Sequence, residues 1–173
     1  FDQDTQLLAE VGYAALRVNF RGSGNYGRRF KEEGAKEWGR KMQDDVTDAT
    51  RWAIAQGVAD PKRICIYGAS YGAYSALMGL AREPQLYRCG VGYVGVYDLP
   101  LMARADSSQA TFMKNWVKDW VGPIETLDAV SPTKLAAQIR QPVFLAAGGK
   151  DERAPIEHTK RLEKALKSAG NTP

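Results

Sequence analysis

The sequence predicts an α/β fold with a mostly parallel sheet and helices on both faces. Apolar, strand-like runs alternate with helix-like stretches along the chain, and the connections between successive strands are long enough to contain helices. Parallel strands need such crossovers, and right-handed crossovers place the helices over the sheet. The chain has 173 residues, 44% of them hydrophobic, and can bury one ordinary core. We therefore expect residues 1–173 to form one partial domain.

The first half of the chain contains two predicted strands, each preceded by a predicted helix. Residues 5–11 have the pattern of the end of a helix, and residues 13–20 that of a mostly buried strand closed by a glycine-containing turn. Apolar residues recur at helical spacing over residues 44–56, and Gly57 ends that helix. The second strand is expected at residues 63–67.

The second half contains two further strands. A helix over residues 73–81 precedes the third strand, at residues 89–97, and the fourth strand follows at residues 142–147. Residues 101–140 are expected to form short helices packed over the sheet. Pro155 begins the last helix, after which the chain ends where a further strand is expected. We therefore expect an incomplete sheet that lacks its last strand. The opening residues Phe1-Asp2-Gln3-Asp4 have no signal-peptide pattern, and we expect the chain to start in mid-domain, with early strands missing as well.

The most informative motif is the serine between two glycines, Gly68-Ala69-Ser70-Tyr71-Gly72, which lies between a predicted strand and a predicted helix. In that setting the serine adopts a strained backbone, and we expect both glycines to be needed so that strand and helix can pass closely. The hydroxyl is then exposed at the end of the strand. The first N–H groups of the helix face any negative charge that develops beside it. Ser70 is therefore the predicted nucleophile of an acyl-transfer site.

A carboxylate follows the fourth predicted strand. Asp151 comes after the turn Gly148-Gly149-Lys150 and before the last helix, with Glu152 as the neighbouring alternative. The carboxyl ends of parallel strands share one edge of the sheet, so Ser70 and Asp151 are expected on the same edge. The order serine, then acid, is that of hydrolases built around this type of turn, and Asp151 is the predicted triad acid.

His158 is the only histidine of the chain, and we expect it not to be the catalytic base. It lies inside the last predicted helix, which carries it away from the ends of the strands. A base must lie within hydrogen-bond distance of both the hydroxyl and the carboxylate.

Other patterns predict no ligand. Residues 22–27 and 90–95 both match G-x-G-x-x-G, but neither match has the helix and the acidic residue of a dinucleotide site, so no cofactor is expected. Asp44, Asp45 and Asp48 are interpreted as first-turn carboxylates that favour the helix dipole, without the companion ligands of a metal site. Cys65 and Cys89 lie in apolar runs and are expected to be free, buried thiols.

Charge and hydropathy exclude two classes of partner. The net charge is +4, but basic and acidic residues are interleaved, which argues against nucleic-acid binding. No apolar run reaches the length of a membrane span. The sequence leaves the cellular compartment open.

The motifs together resemble the peptidase domain of the prolyl oligopeptidase family of serine peptidases, which includes dipeptidyl and acylaminoacyl peptidases. The similarity covers almost the whole chain. The segments that carry it are residues 18–27 (VNFRGSGNYG), 60–64 (DPKRI), 68–74 (GASYGAY), 131–132 (SP) and 149–157 (GKDERAPIE).

The resemblance implies an α/β-hydrolase fold that cleaves peptide bonds with Ser70 as nucleophile and Asp151 as triad acid. It also implies that the Tyr71 backbone N–H stabilises the oxyanion and that Tyr71, Val94 and Tyr97 line the substrate pocket. The family's base comes from a loop beyond Pro173, and its second oxyanion donor precedes Phe1. This fragment alone is therefore expected to be inactive.

The implied partner is a peptide substrate. We also expect association through exposed sheet edges, or with a β-propeller domain that these residues lack. Two alternatives remain: an esterase or other acyl hydrolase on the same fold, and a non-catalytic binding module that has the same architecture.

Overall fold

The computed structural model describes residues 2–106 and 115–173. They contain a three-stranded parallel sheet in the order β1-β2-β3, formed by β1 (Cys65–Ala69), β2 (Cys89–Tyr93) and β3 (Val143–Ala146). The register pairs Tyr67 with Val91 and Val91 with Phe144. Three of the four predicted strands are therefore confirmed, within a few residues at each end.

The predicted helices occur in their predicted order, and the structure adds a short helix at Arg28–Glu32 that the sequence did not predict. The helices are α1 (Gln3–Glu10), α2 (Arg28–Glu32), α3 (Lys41–Ala55), α4 (Tyr71–Arg82), α5 (Leu99–Asp106) and α6 (Glu157–Ser168). A π-helical turn at Val117–Val121 and three short 3-10 turns at Ile124–Thr126, Asp128–Val130 and Ala136–Gln138 complete the connection between β2 and β3. The prediction of short helices over residues 101–140 is thus confirmed for residues 101–106 and 115–140. Residues 107–114 lie outside the described residues. No helix in the described ranges is long and apolar enough to cross a membrane.

Helix α4 is the centre of the core. Its residues from Ala73 to Ala81 are all buried, because the sheet lies on one side of the helix and further elements cover the other sides. Glycines in β2 make this packing possible: a Cβ at Gly90 would collide with the Leu80 side chain, and one at Gly92 with the Tyr97 ring. The second G-x-G-x-x-G match is therefore explained by close packing.

The opposite face of the sheet is largely uncovered. Tyr67, Tyr93 and Phe144 project from it with 46%, 48% and 64% of their surface exposed. Helix α1 borders this face through a 3.0 Å hydrogen bond from the Tyr67 hydroxyl to Asp4. The chain exposes 10407 Å², whereas a compact monomer of this size exposes about 8,400 Å². Parallel sheets are normally covered on both faces, so this face is available for further protein.

The prediction of a buried strand at residues 13–20 is wrong. The segment belongs to no strand, and Tyr13 and Leu16 are 64% and 51% exposed. A strand needs a neighbour for its backbone hydrogen bonds, and none of the strands within residues 2–106 and 115–173 pairs with this segment. The apolar pattern of residues 13–20 therefore predicts a strand that has no partner in the described ranges.

The third strand ends earlier than predicted. Strand β2 stops at Tyr93, because Val94 has a left-handed backbone with φ of 47°. The chain then turns back, and the fully buried Tyr97 packs beneath Gly92 and Gly95. The prediction that the strand continued to residue 97 is therefore wrong at its C-terminal end.

The interpretation of the two cysteines as free buried thiols is also wrong. Cys65 and Cys89 occupy paired positions of β1 and β2 and form a disulfide. Cys65 is exposed on the outermost strand. The pairing depends on the register of the sheet, which the spacing of the cysteines along the chain does not reveal.

We predict that the disulfide contributes to stability. Cys65 and Cys89 are 24 residues apart in sequence. Replacing both cysteines with serine should lower the free energy of unfolding by about 3 kcal/mol, because the cross-link closes a loop of this length in the unfolded chain. Urea unfolding with and without a reductant measures the effect. A reductant should destabilise the wild-type chain and leave the double variant unchanged. Equal reductant sensitivity of the two proteins would contradict the prediction.

Candidate active site

Ser70 occupies the turn between β1 and α4, as predicted. It is exposed, its φ is 53°, and it is the N-cap residue of α4. Its backbone N–H donates a 2.9 Å hydrogen bond to the Tyr93 carbonyl, which fixes the turn to the end of β2. A non-glycine residue with positive φ is uncommon and is typical of functional turns. The serine hydroxyl therefore lies at the edge formed by the carboxyl ends of β1, β2 and β3, which we call the sheet rim.

The two glycines around Ser70 differ in importance. A Cβ on Gly68 would overlap the Gly72 backbone and lie only 2.7 Å from its Cα, so Gly68 is required for the close crossing of strand and helix. A Cβ on Gly72 would meet nothing within 4 Å. The expectation that both glycines are needed is confirmed for Gly68 and wrong for Gly72, because the close approach is on one side only.

Tyr71, the first residue of α4, presents its backbone N–H at the sheet rim. This N–H donates no hydrogen bond to residues 2–106 or 115–173. The ring lies in an aromatic cluster, 5.0 Å from Phe20, 4.6 Å from Trp38 and 5.5 Å from Tyr74 between ring centroids. Burial raises the pKa of the Tyr71 hydroxyl, so this side chain is neutral and acts as an apolar wall.

An ion pair that sequence reasoning missed supports this cluster. Asp45 accepts hydrogen bonds from Nε (2.9 Å), Nη2 (2.6 Å) and the backbone N–H (2.8 Å) of Arg21. The Arg21 hydrogen bonds lower the pKa of Asp45, against the effect of its partial burial. The pair anchors residues 13–20 to α3 and so holds Phe20 against Tyr71.

The interpretation of the acidic residues of α3 as first-turn carboxylates holds for Asp44 only. Asp44 lies in the first turn of the helix, whereas Asp45 and Asp48 lie beyond it. Asp45 pairs with Arg21, and Asp44 pairs with Arg82 at 2.7 Å. These arginines come from other elements, so position along the helix does not reveal the pairs. Within the described ranges, no group of three or more His, Cys, Asp or Glu side chains could hold a metal ion.

Asp151 lies past the end of β3, on the same rim as Ser70. Its Oδ1 accepts 2.8 Å hydrogen bonds from the backbone N–H groups of Arg153 and Ala154. These bonds fix the half-buried carboxylate and leave Oδ2 without a partner in the described part of the chain. Glu152 is exposed and makes no such contacts with residues 2–106 or 115–173. With β2 between them, the ends of β1 and β3 are separated by about 10 Å, or two strand spacings.

The structure places the other two expected pocket residues, Val94 and Tyr97, differently from each other. Val94 is half-buried at the end of β2 and packs against the hydrophobic cluster that includes Tyr71 and Tyr74. Tyr97 is fully buried beneath β2 and presents no surface at the rim.

His158 is buried in α6 and is 2% exposed. Its Nδ1 accepts a 3.3 Å hydrogen bond from the Asp98 backbone N–H, and the Asp98 carboxylate in turn pairs with Arg161 at 3.2 Å. Burial lowers the pKa of His158, mainly by penalising the charged imidazolium. This geometry supports a structural role for the histidine.

The prolyl oligopeptidase family matches residues 1–173, the entire chain. The chain therefore belongs to the prolyl oligopeptidase family. Among solved structures it is similar to a puromycin-hydrolyzing peptidase from Mycobacterium tuberculosis, with a TM-score of 0.80, 27% identity, and coverage of 89% of this chain and 23% of that one. The family match and this structural similarity confirm the predicted α/β-hydrolase fold class.

Two curated family members show the range of relatives. Dipeptidyl aminopeptidase BIII of Pseudoxanthomonas mexicana is 37% identical over 97% of this chain and 25% of its own length. Inactive dipeptidyl peptidase 10 of Mus musculus is 25% identical over 98% of this chain and 21% of its own length. The chain thus spans about a quarter of the length of these relatives, which belong to a serine-peptidase family and include both a peptidase and an inactive member.

The glycines around Ser70 provide a matched pair of variants. We predict that Gly68→Ala destabilises the fold by more than about 2 kcal/mol, because the new methyl group overlaps a backbone that cannot move freely. Gly72→Ala should be neutral, or stabilising by up to about 1 kcal/mol, since alanine is the better helix former. Chemical denaturation of both variants measures the difference. Equal destabilisation would show that the crossing is looser than the structure indicates.

We also predict a pH dependence from His158. Its pKa in the folded state is below the unfolded value of about 6.5, so the unfolded state binds more protons between the two values. Stability should therefore fall as the pH is lowered through about 6.5. His158→Asn keeps an acceptor for the Asp98 N–H but does not titrate. Its stability should change less with pH between 7 and 5, and parallel curves for the two proteins would refute this assignment.

Proposed function

We propose that this chain is the middle part of the catalytic domain of a longer serine peptidase, which hydrolyses peptide bonds through an acyl-enzyme on Ser70. The proposal rests on one observation above all: an exposed serine with a left-handed backbone lies at the sheet rim, at the N-terminus of α4, with Asp151 on the same rim. Similarity of the full chain to dipeptidyl aminopeptidases supports a peptide substrate.

In the proposed reaction, Ser70 Oγ attacks the carbonyl carbon of the scissile bond, and its proton passes to a base. The carbonyl oxygen becomes an oxyanion. The Tyr71 N–H, which donates no hydrogen bond within residues 2–106 and 115–173, and the positive end of the α4 dipole stabilise it. The C–N bond then breaks, and the proton moves from the base to the leaving amine. Water hydrolyses the resulting ester and regenerates Ser70. Asp151 orients the base through Oδ2, which has no partner among the described residues.

The base must come from outside residues 1–173 in this proposal. His158 is buried and its Nδ1 is already hydrogen-bonded, so it has no free surface to meet a substrate. Without a base, the Ser70 hydroxyl stays protonated and unreactive at neutral pH. We therefore expect these 173 residues alone to be nearly inactive.

The substrate pocket is proposed to lie beside Ser70. Tyr71 and Val94 provide apolar surface there, backed by Phe20 and Trp38. Tyr97 acts from beneath, by supporting the turn at Val94, since its ring is fully buried. Further parts of the longer protein are proposed to pack on the bare sheet face, at the free sheet edges, or as a propeller domain over the rim.

Two other functions remain as alternatives. An esterase or other acyl hydrolase would use the same serine and acid, because these groups serve any acyl transfer. A non-catalytic binding module is supported by the similarity to inactive dipeptidyl peptidase 10 and by the structural role of His158.

We predict distinct effects for three variants of the full-length protein, measured as hydrolysis of a peptide anilide. Ser70→Ala should abolish turnover. Asp151→Asn should lower kcat by about 10⁴-fold, because the base is then held in the wrong tautomer. Glu152→Gln is the matched control beside it and should leave kcat nearly unchanged, since Glu152 is exposed and outside the rim contacts.

The outcomes separate the candidate functions. Turnover of a short acyl ester without turnover of the anilide would favour the esterase. Absence of any Ser70-dependent turnover, together with failure of Ser70 to react with a fluorophosphonate, would favour the binding module. Equal decreases of kcat in Asp151→Asn and Glu152→Gln would reject the assignment of Asp151 as the triad acid.

A further inference from the structure

Val94 shares with Ser70 an unusual backbone at the sheet rim. Its φ is 47°, and it is a β-branched residue, for which the left-handed region is a genuine outlier. Such strain persists only where the surrounding structure enforces it, and it is most often found at functional sites.

Val94 and Ser70 occupy the same row of the sheet. Ala69 pairs with Tyr93, and Tyr93 pairs with Ala146, so the next row contains Ser70, Val94 and Ala147. Two hydrogen bonds extend the ladder into this row. The Ser70 N–H donates to the Tyr93 carbonyl at 2.9 Å, and the Val94 N–H donates to the Ala146 carbonyl at 2.8 Å. The peptide between Tyr93 and Val94 therefore links the turn that carries Ser70 to the strand that leads to Asp151.

The left-handed turn also removes β2 from the space between these two groups. After Val94 the chain folds beneath the sheet, where the Tyr97 ring lies against Gly92 and Gly95. An extended residue at position 94 would continue β2 between Ser70 and Asp151. The turn instead takes the chain out of this row, and we call the position between Ser70 and Asp151 that β2 does not occupy the notch.

We propose that Val94 is a positioning residue whose left-handed backbone opens this notch and holds Ser70 and Asp151 on its two sides. The inference rests on the proposed function, because the notch is where the base and the scissile bond would enter. The role belongs to the backbone conformation and is separate from any contact between the Val94 side chain and substrate.

The test compares Val94→Gly with Val94→Ala in the full-length protein. Both variants lose the branched side chain, but glycine adopts a positive φ without steric cost, whereas alanine resists it. We expect Val94→Gly to have the higher Tm. We also expect its kcat for a peptide anilide, and its rate of fluorophosphonate labelling, to exceed those of Val94→Ala by about threefold or more.

A side-chain role predicts the opposite order. If Val94 only packs or lines the pocket, alanine, which keeps one carbon of the side chain, should match or exceed glycine in Tm and in kcat, and that result would overturn the proposal. A higher Tm for glycine without a higher kcat would also overturn it, because the strain would then have no catalytic role.

Ala69, one row below in the extended part of β1, provides the matched control. Ala69→Gly should lower Tm, the ordinary result for glycine in a strand. Ser70→Ala separates failure of this proposal from failure of the proposed function. If wild-type protein has no Ser70-dependent activity, the proposed function fails and this proposal fails with it. If that activity is present and the two Val94 variants show the reverse order, only the positioning role fails.

Discussion

The close crossing of β1 and α4 at Gly68 is the constraint on which the rest of the site depends. Because a side chain at Gly68 would overlap the Gly72 backbone, strand and helix can meet at this distance only with glycine at the first position. The crossing forces Ser70 into a left-handed backbone, exposes its hydroxyl and directs the first N–H groups of α4 toward the same point. Position, exposure and electrostatic environment of the serine therefore have one common cause.

The sheet extends this local geometry into a site. Parallel strands bring their carboxyl ends to one edge, so residues far apart along the chain meet there. The hydrogen bonds from Ser70 to Tyr93 and from Val94 to Ala146 join the three strand ends into one row. These two backbone hydrogen bonds thus fix the position of the serine relative to the end of β3, from which the chain leads to Asp151. The aromatic cluster around Tyr71 is held from the other side by the pair of Arg21 and Asp45.

The same architecture leaves part of the molecule open. One sheet face exposes aromatic side chains, and residues 13–20 have strand-like composition but pair with no strand in the part of the chain that the structure describes. Both features have the same physical origin. An apolar sheet face is normally covered by packing, and an unpaired strand-like backbone by hydrogen bonds to a neighbouring strand. They agree with the finding that the chain corresponds to about a quarter of the length of its relatives.

The sequence alone determined the elements whose signals are local. Helical periodicity located α3, α4 and α6, and the glycines around Ser70 identified the turn that carries the candidate nucleophile. Tertiary structure decided what depends on neighbours distant in sequence: the Cys65–Cys89 disulfide, the pairing of Asp45 with Arg21, and the missing partner of residues 13–20. The early end of β2 at Val94 belongs with these, since valine favours an extended backbone and only its surroundings hold it in the left-handed region.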